Sequence, residues 1–315
     1  MRRPEQSLKQ RFPMRSSIAT AMLALLAATP LHAQVVNSIG GPVTTMAPTS
    51  LPRPASFDNV TTRYFSWLYG ISAGNPAGVE LVGDPAVTQG VETRKVFRMT
   101  VNASDPDEYG KRTEVTPSYE RMPKGRRWYA GGVYFPADWD LTGKDGWIVV
   151  FQVHSARGIV VTSPPFSIIA DGPDLVMETR ANHRDTYTLK DGVMVADATA
   201  NNTVQQRLML GKIEREKWYC VVLDADWQHA SGTGASRLWL NGKLVYEGSN
   251  FPTHYMNVDL PSRGNYPKTG AYLGGFHDTL QGKRVLYTDF IHLGGGASTY
   301  AQMAAETPCP VPPAT

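Results

Sequence analysis

The sequence lacks an apolar segment long enough to anchor the protein in a membrane. The apolar run Ile18–Ala28 is shorter than the ~20 residues that span a bilayer. A basic residue precedes it and a small residue, Ala33, closes the polar stretch after it, which is the layout of a secretory signal peptide. We therefore predict that residues 1–33 are a leader and that the mature protein is periplasmic or secreted, with no membrane anchor. Translation from Met14 is an open alternative to Met1.

An excess of charge of one sign is also missing from the mature chain. The whole sequence has 31 Lys and Arg against 28 Asp and Glu. Residues 1–33 hold five of those basic residues and one of the acidic ones, so the remainder has 26 against 27. A general positive field for nucleic acid is therefore unsupported. Attraction for an anionic partner must come from a local cluster.

Cysteine is scarce, with Cys220 in a strand-like apolar run and Cys309 near the carboxyl end. In an oxidising compartment we expect the two to pair and to tie the tail to the domain. Two unrelated thiols are the alternative, because a sequence does not show proximity.

Spacings typical of a metal centre are absent too. The histidines at 183, 229, 254, 277 and 292 do not form the short ligand pairs of a zinc site. Asp289 is a candidate ligand for a structural calcium ion, although a hydrogen-bonded surface carboxylate is the favoured interpretation. The closely spaced acid pairs that would suggest a glycoside hydrolase are also missing. No cofactor is therefore expected.

Helical periodicity is rare, whereas short β-branched and aromatic runs between Gly, Pro, Asn and Asp recur throughout. The predicted strands are 94–101, 128–135, 147–154, 166–170, 175–180, 205–210, 218–224, 237–240, 243–247 and 285–293. Asn241-Gly242 predicts a two-residue hairpin turn. The pattern indicates an all-β fold of two packed sheets. We expect a lead-in at 34–56, one domain over 57–309, a tail at 310–315, and a monomer.

Three segments place polar side chains on one face of a strand by period-2 alternation. Arg112 and Glu114 share a face in the first segment, and Gln152 and His154 share one in the second. The third segment, 266–272, would place Tyr266, Lys268 and Tyr272 together.

This set suits elimination from a uronate. An amide or a guanidinium neutralises the carboxylate next to the proton at C5, a role that fits Gln152 and Arg112. A base must take that proton, and an acid must protonate the departing oxygen at C4. His154 and Tyr272 can fill these two roles. Lys268 can assist the phenol or bind a substrate anion.

These segments resemble the three signature strands of jelly-roll polysaccharide lyases. That group includes alginate lyases with Arg-x-Glu, Gln-x-His and Tyr-Phe-Lys-x-Gly-x-Tyr motifs, heparin lyase I-like enzymes and glucuronan lyases. The order agrees, although Pro267 replaces the usual aromatic. The stretch 218–242 is similar to the heparin-lyase and glucuronan-lyase branch.

The resemblance implies a concanavalin A-like β-jelly-roll sandwich of two antiparallel sheets and an anionic polysaccharide substrate. By resemblance, Gln152 and Arg112 neutralise the carboxylate, His154 acts as base or assists it, and Tyr272 acts as acid. Further candidate substrate-binding residues are Glu114, Lys268, Tyr266, His183 and Arg180. The alternative is a non-catalytic carbohydrate-binding module with a similar sandwich fold. Such a module would bind sugar through Trp128, Trp139, Trp227 or Trp239.

Overall fold

The computed structural model describes residues 44–45, 64–65, 69–87, 94–106, 110–117, 125–155, 160–161, 163–182, 187–191, 193–196, 203–228, 234–251, 265–273 and 280–309. The strands in these ranges are β1 Thr44–Thr45, β2 Tyr64–Phe65, β3 Tyr69–Ala73, β4 Val79–Gly83, β5 Lys95–Asn102, β6 Arg112–Pro117, β7 Gly125–Phe135, β8 Trp147–Ser155, β9 Val160–Val161, β10 Phe166–Asp171, β11 Asp174–Asn182, β12 Tyr187–Lys190, β13 Val193–Ala196, β14 Thr203–Lys212, β15 Lys217–Trp227, β16 Gly234–Leu240, β17 Lys243–Phe251, β18 Asn265–Leu273, β19 Lys283–Thr288 and β20 His292–Gly294. A 3-10 turn covers Pro76–Gly78, and a helix, α1, covers Tyr300–Ala305. The predicted leader and tail lie outside the described residues, as does most of the lead-in.

Most of the described strands belong to two antiparallel sheets. One sheet has the order β17-β16-β15-β7-β19-β5-β4, with β20 also paired to β7 and β1 paired to β20. The other has eight strands in the order β14-β11-β10-β8-β18-β6-β3-β2. A small third sheet joins β12, β13 and β9, and β13 runs parallel to β9.

The two large sheets pack face to face around one hydrophobic core. Tyr129 and Leu223 from the first sheet belong to the same cluster as Phe151, Ile168 and Met177 from the eight-stranded sheet, and all five are fully buried. Burial of such alternate side chains between two sheets is the main force that holds a sandwich together. The predicted all-β jelly-roll class is confirmed.

The sequence signals located one turn correctly and one strand wrongly. Asn241 and Gly242 have φ values of 48° and 84° and join β16 to β17, as the hairpin signal predicted. The single predicted strand 285–293 is wrong, because β19 and β20 are separate strands. Asp289 interrupts them, since its fully buried carboxylate turns inward and accepts hydrogen bonds from Arg94.

The carboxyl end closes over the outward face of the first sheet. Thr299 caps α1 through its hydroxyl, which accepts from the Gln302 N–H at 3.3 Å. Met303 of α1 packs against Trp128 of β7. The structure pairs Cys220 of β15 with Cys309, whose Cα atoms lie 6.0 Å apart.

Candidate active site

The strands that carry the three motifs lie side by side in the eight-stranded sheet, with β18 between β8 and β6. The register of β18 against β8 places Lys268 opposite Gln152 and Tyr266 opposite His154. Directly opposed residues of an antiparallel pair point to the same face. The second and third motifs therefore meet on one face of the sheet.

A close approach between β18 and β6 completes this arrangement. Tyr272 lies opposite Arg112, and Gly270 lies opposite Glu114. Gly270 has a φ of 140°, and a Cβ there would lie 2.2 Å from the carbonyl oxygen of Thr113 and 2.7 Å from the Cα of Glu114. Glycine is required at this position for both reasons. A β-bulge relative to β8 begins at Gly270, and Tyr272 emerges from it on the face opposite the core.

Four side chains form a buried charge cluster on this face, called here the Glu114 cluster: Glu114, Lys268, Gln152 and Arg112. Lys268 Nζ lies 3.0 Å from Glu114 Oε2, and Gln152 Nε2 donates to Glu114 Oε1. Arg112 Nη1 lies 3.8 Å from Glu114 Oε2. The cluster contains two cations and one carboxylate, so it has a net positive charge.

Electrostatics keep Glu114 ionised. Its burial alone would raise the pKa, but the charges of Lys268 and Arg112 and the hydrogen bonds from Lys268 and Gln152 outweigh that effect. The pKa of Glu114 is therefore lowered from its ordinary value. A permanent carboxylate at the centre fixes the orientation of the three donors around it.

Tyr272 borders the Glu114 cluster at one end. The guanidinium carbon of Arg112 lies 4.3 Å from the centre of the Tyr272 ring, which is a cation–π contact. The Arg112 side chain is 17% exposed and Tyr272 is half-buried. Both can therefore contact a ligand that lies on the sheet.

His154 borders the cluster at the other end. Its ring is tilted against that of Tyr266, with centroids 5.6 Å apart. Tyr266 is 2% exposed, whereas His154 is half-buried. Tyr266 thus supports the imidazole from beneath, and His154 is the member of the pair that a ligand can reach.

Arg180 lies apart from these residues, three strands from β18 on β11. Its Nη2 donates to Glu178 Oε2 at 2.7 Å, and Arg207 Nη1 donates to Glu178 Oε1. Sequence reasoning missed Glu178 and Arg207, although the alternation in 205–210 could have shown Arg207 on an outward face. His183 lies outside the described residues.

The four tryptophans considered as sugar-binding residues pack inside the protein or against one another. Trp128, Trp139 and Trp227 are buried at 3–5% exposure, and Trp239 stacks on Trp128 with centroids 5.7 Å apart. In the described ranges, no group of three or more His, Cys, Asp or Glu side chains could hold a metal ion. None of the described helices has the length and apolar character needed to cross a bilayer.

Chemically, the site offers hydrogen-bond donors and positive charge in its centre, with an imidazole and a phenol on either side. Such donors can bind a carboxylate and stabilise a neighbouring carbanion. The flanking groups can each exchange a proton with a bound sugar.

Two solved lyase structures are similar to this chain, and the first of them supports the fold. An endo-β-1,4-glucuronan lyase from the fungus Trichoderma reesei superposes with a TM-score of 0.53 and 19% identity, over 71% of this chain and 88% of that one. The family 7 alginate lyase A1-II′ gives a TM-score of 0.42 and 11% identity, over 72% and 94% of the two chains. A search of curated proteins finds no match.

The strongest assignment comes from a family model built from sequences. The model described as polysaccharide lyase matches residues 74–292, which is well over half of the chain and includes all three motifs. The predicted resemblance is therefore confirmed, and the chain belongs to this family of polysaccharide lyases.

Proposed function

We propose that this lyase cleaves a uronic-acid-containing polysaccharide, of the glucuronan, alginate or glycosaminoglycan type, by β-elimination. The observation that carries the proposal is the Glu114 cluster, a net positive group of donors with His154 at one end and Tyr272 at the other. A neutral sugar would not need buried cations at this place. A uronate carries one carboxylate per ring and suits them.

The reaction has three linked steps. A base removes the proton from C5, the electron pair forms the C4–C5 double bond, and the C4–O bond breaks. The departing oxygen takes a proton from an acid. The carboxylate on C5 must be neutralised for the first step, because the developing negative charge spreads onto it.

The residues of the site can fill these roles. Arg112 and the second N–H of Gln152 neutralise the carboxylate, and Lys268 adds positive charge beneath it. Tyr272 protonates the leaving oxygen, and His154 takes the C5 proton or assists that step. Glu114 is buried under these groups and orients them, so we assign it an indirect part in substrate binding.

Export follows from the same proposal. A polymeric substrate is degraded outside the cytoplasm. The leader-like residues 1–33 would direct the protein there. We propose a periplasmic or secreted monomer with no metal requirement for the elimination itself.

A panel of acidic polysaccharides tests the proposal. The mature protein is incubated with each polymer, and the ultraviolet absorbance of a new unsaturated uronate is followed together with reducing ends. Absorbance that rises in step with reducing ends for at least one polyuronate is expected. Reducing ends without absorbance indicate hydrolysis, and binding without either signal indicates a carbohydrate-binding module; both contradict the proposal.

A further inference from the structure

Arg127 is a buried cation that the proposed active site does not use. It lies on β7 opposite Ala225 of β15, and Ala225 is a fully buried member of the hydrophobic core. Directly opposed residues of an antiparallel pair share a face, so the Arg127 side chain points between the two sheets. Only 4% of Arg127 is exposed. Its neighbour Arg126 lies on the other face, where it pairs with Asp224.

The described part of the chain compensates this guanidinium poorly. Its Nη1 donates to the backbone carbonyl of Arg126 at 2.8 Å, whereas its Nε is buried without a hydrogen-bond partner. Burial lowers the pKa of Arg127, an electrostatic interaction with Tyr129 partly offsets that effect, and no carboxylate of a described residue contributes. An arginine side chain nevertheless stays protonated in proteins. The interior of the sandwich therefore contains a positive charge with no described counter-charge.

Tyr129, the next inward residue of β7, adds a second buried donor. It is fully buried, and its oxygen accepts a hydrogen bond from Trp227 Nε1 at 2.8 Å. Burial raises the pKa of Tyr129 well above its ordinary value, so the phenol keeps its proton. Because the indole N–H points at the phenol oxygen, the hydroxyl hydrogen must point away from Trp227. Among the described residues, this hydrogen has no acceptor.

This part of the core therefore has an excess of donors over acceptors, together with one positive charge. Buried polar groups are almost always paired, and an unpaired buried charge is costly. A water molecule would accept hydrogen bonds but would leave the charge of Arg127 uncompensated. A divalent anion would bring one negative charge too many. A monovalent anion of about the size of chloride accepts from both donors, balances the charge and needs little room between packed sheets.

We infer that Arg127 and Tyr129 bind a small monovalent anion, of the chloride type, between the two sheets. The anion accepts hydrogen bonds from Arg127 Nε and from the Tyr129 hydroxyl, and Trp227 sets the direction of that hydroxyl. The Glu114 cluster lies on the outward face of the eight-stranded sheet, so this site is separate from the proposed active site and does not depend on the proposed function. An anion that binds the folded chain and not the unfolded chain stabilises the fold.

Thermal unfolding in two sodium salts tests this site. The melting temperature of the protein is measured in mixtures of sodium chloride and sodium gluconate at one fixed ionic strength, because gluconate is too large to enter between the sheets. We expect the melting temperature to rise by about 3–5 °C for each tenfold increase in chloride above its dissociation constant. Sodium bromide should replace sodium chloride.

Two variants show whether Arg127 causes this dependence. Arg127→Met removes the charge and keeps a long side chain, so the difference between chloride and gluconate should disappear. Arg98→Met is the matched control, because Arg98 is a partly exposed arginine that pairs with Glu80, and it should keep the wild-type chloride dependence. Equal melting of the wild type in both salts, or a chloride dependence that persists in Arg127→Met, overturns the inference.

A crystal of the wild-type protein soaked in sodium bromide gives a second test that does not need the variant to fold. Anomalous diffraction locates bromide directly. A bromide peak within hydrogen-bond distance of Arg127 Nε and the Tyr129 oxygen is expected. The absence of a peak between the sheets overturns the inference, and a water molecule in that position does so as well.

Discussion

Lys268 Nζ and Glu114 Oε2 are 3.0 Å apart, and the two side chains are 4% and 2% exposed. Water is excluded from this ion pair, so each charge depends on the other for its stabilisation. Gln152 donates to the same carboxylate, and Arg112 lies 3.8 Å from it. The pair therefore links the folding of the sheet to the shape of the proposed active site.

Removing one partner of this pair should be strongly destabilising. Glu114→Gln leaves the buried cation of Lys268 without its carboxylate, and we expect a loss of about 3–5 kcal/mol in the free energy of unfolding. The double variant Glu114→Gln with Lys268→Met should recover much of that loss. Denaturant unfolding measures each value. Glu80→Gln is the control, since the exposed Glu80–Arg98 pair should contribute less than about 1 kcal/mol.

The same carboxylate gives a pH dependence of defined sign. Because the pKa of Glu114 is lowered in the folded protein, its stabilising contribution is fully present above the ordinary value of 4.5. The contribution is lost as the pH falls from 4.5 through the lowered pKa. The difference in unfolding free energy between wild type and Glu114→Gln should therefore be constant well above pH 4.5 and shrink below it. A difference that grows in acid would contradict the assignment.

The sequence was sufficient for the fold class and for the faces of the motif strands. Alternation placed Gln152 with His154, and Tyr266 with Lys268, on common faces, and the structure brings these residues together across β8 and β18. Alternation also predicted correctly that Tyr272 lies on that face. The bulge at Gly270 shifts the register of β18 against β8, but the pairing of β18 with β6 stays regular.

The burial of individual side chains and the contacts between distant strands could not be predicted from the sequence. Nothing local shows that Glu114 is buried beneath its donors, since burial depends on which strands flank β6. The contact between Glu178 and Arg207 depends on the register of β11 against β14. That register is set by core packing, and a bulge shifts it between Leu175 and Val176.

The disulfide should matter for stability and not for catalysis. Cys220 lies on β15, in the sheet that does not carry the site, and the bridge spans 89 residues of sequence. Cys220→Ser with Cys309→Ser should lower the unfolding free energy by about 2–4 kcal/mol, with kcat unchanged below the melting transition. If mass spectrometry of the protein, isolated under oxidising conditions, finds two free thiols, the pairing is refuted.

Gly270 should be intolerant of any side chain. In Gly270→Ala, the new Cβ would collide with the Thr113 carbonyl oxygen, and the φ of 140° would be strained as well. We expect a loss of at least about 2–3 kcal/mol in stability, with reduced activity because Glu114 and Tyr272 shift. Gly211→Ala separates the two causes, since Gly211 has a φ of 149° but a Cβ there would have no described atom within 4 Å. Equal losses in both variants would show that steric contact with β6 is unimportant.

The assignment of the acid is tested by Tyr272→Phe, which removes one hydroxyl and keeps the ring that contacts Arg112. If Tyr272 protonates the leaving oxygen, kcat should fall at least about 100-fold with little change in KM. Gln152→Ala should cost about 100- to 1,000-fold by removing a donor to the developing anion.

His154→Ala then distinguishes two geometries of elimination. It should be as severe as Tyr272→Phe if the C5 proton and the leaving oxygen lie on opposite faces of the ring, because base and acid must then be different groups. It should be milder if they lie on one face, since Tyr272 can serve in both roles. Circular dichroism must show each variant folded, because His154 also packs on Tyr266. If folded Tyr272→Phe has near-normal turnover, the assignment of the active site beside Tyr272 is wrong, even if the protein cleaves a polyuronate.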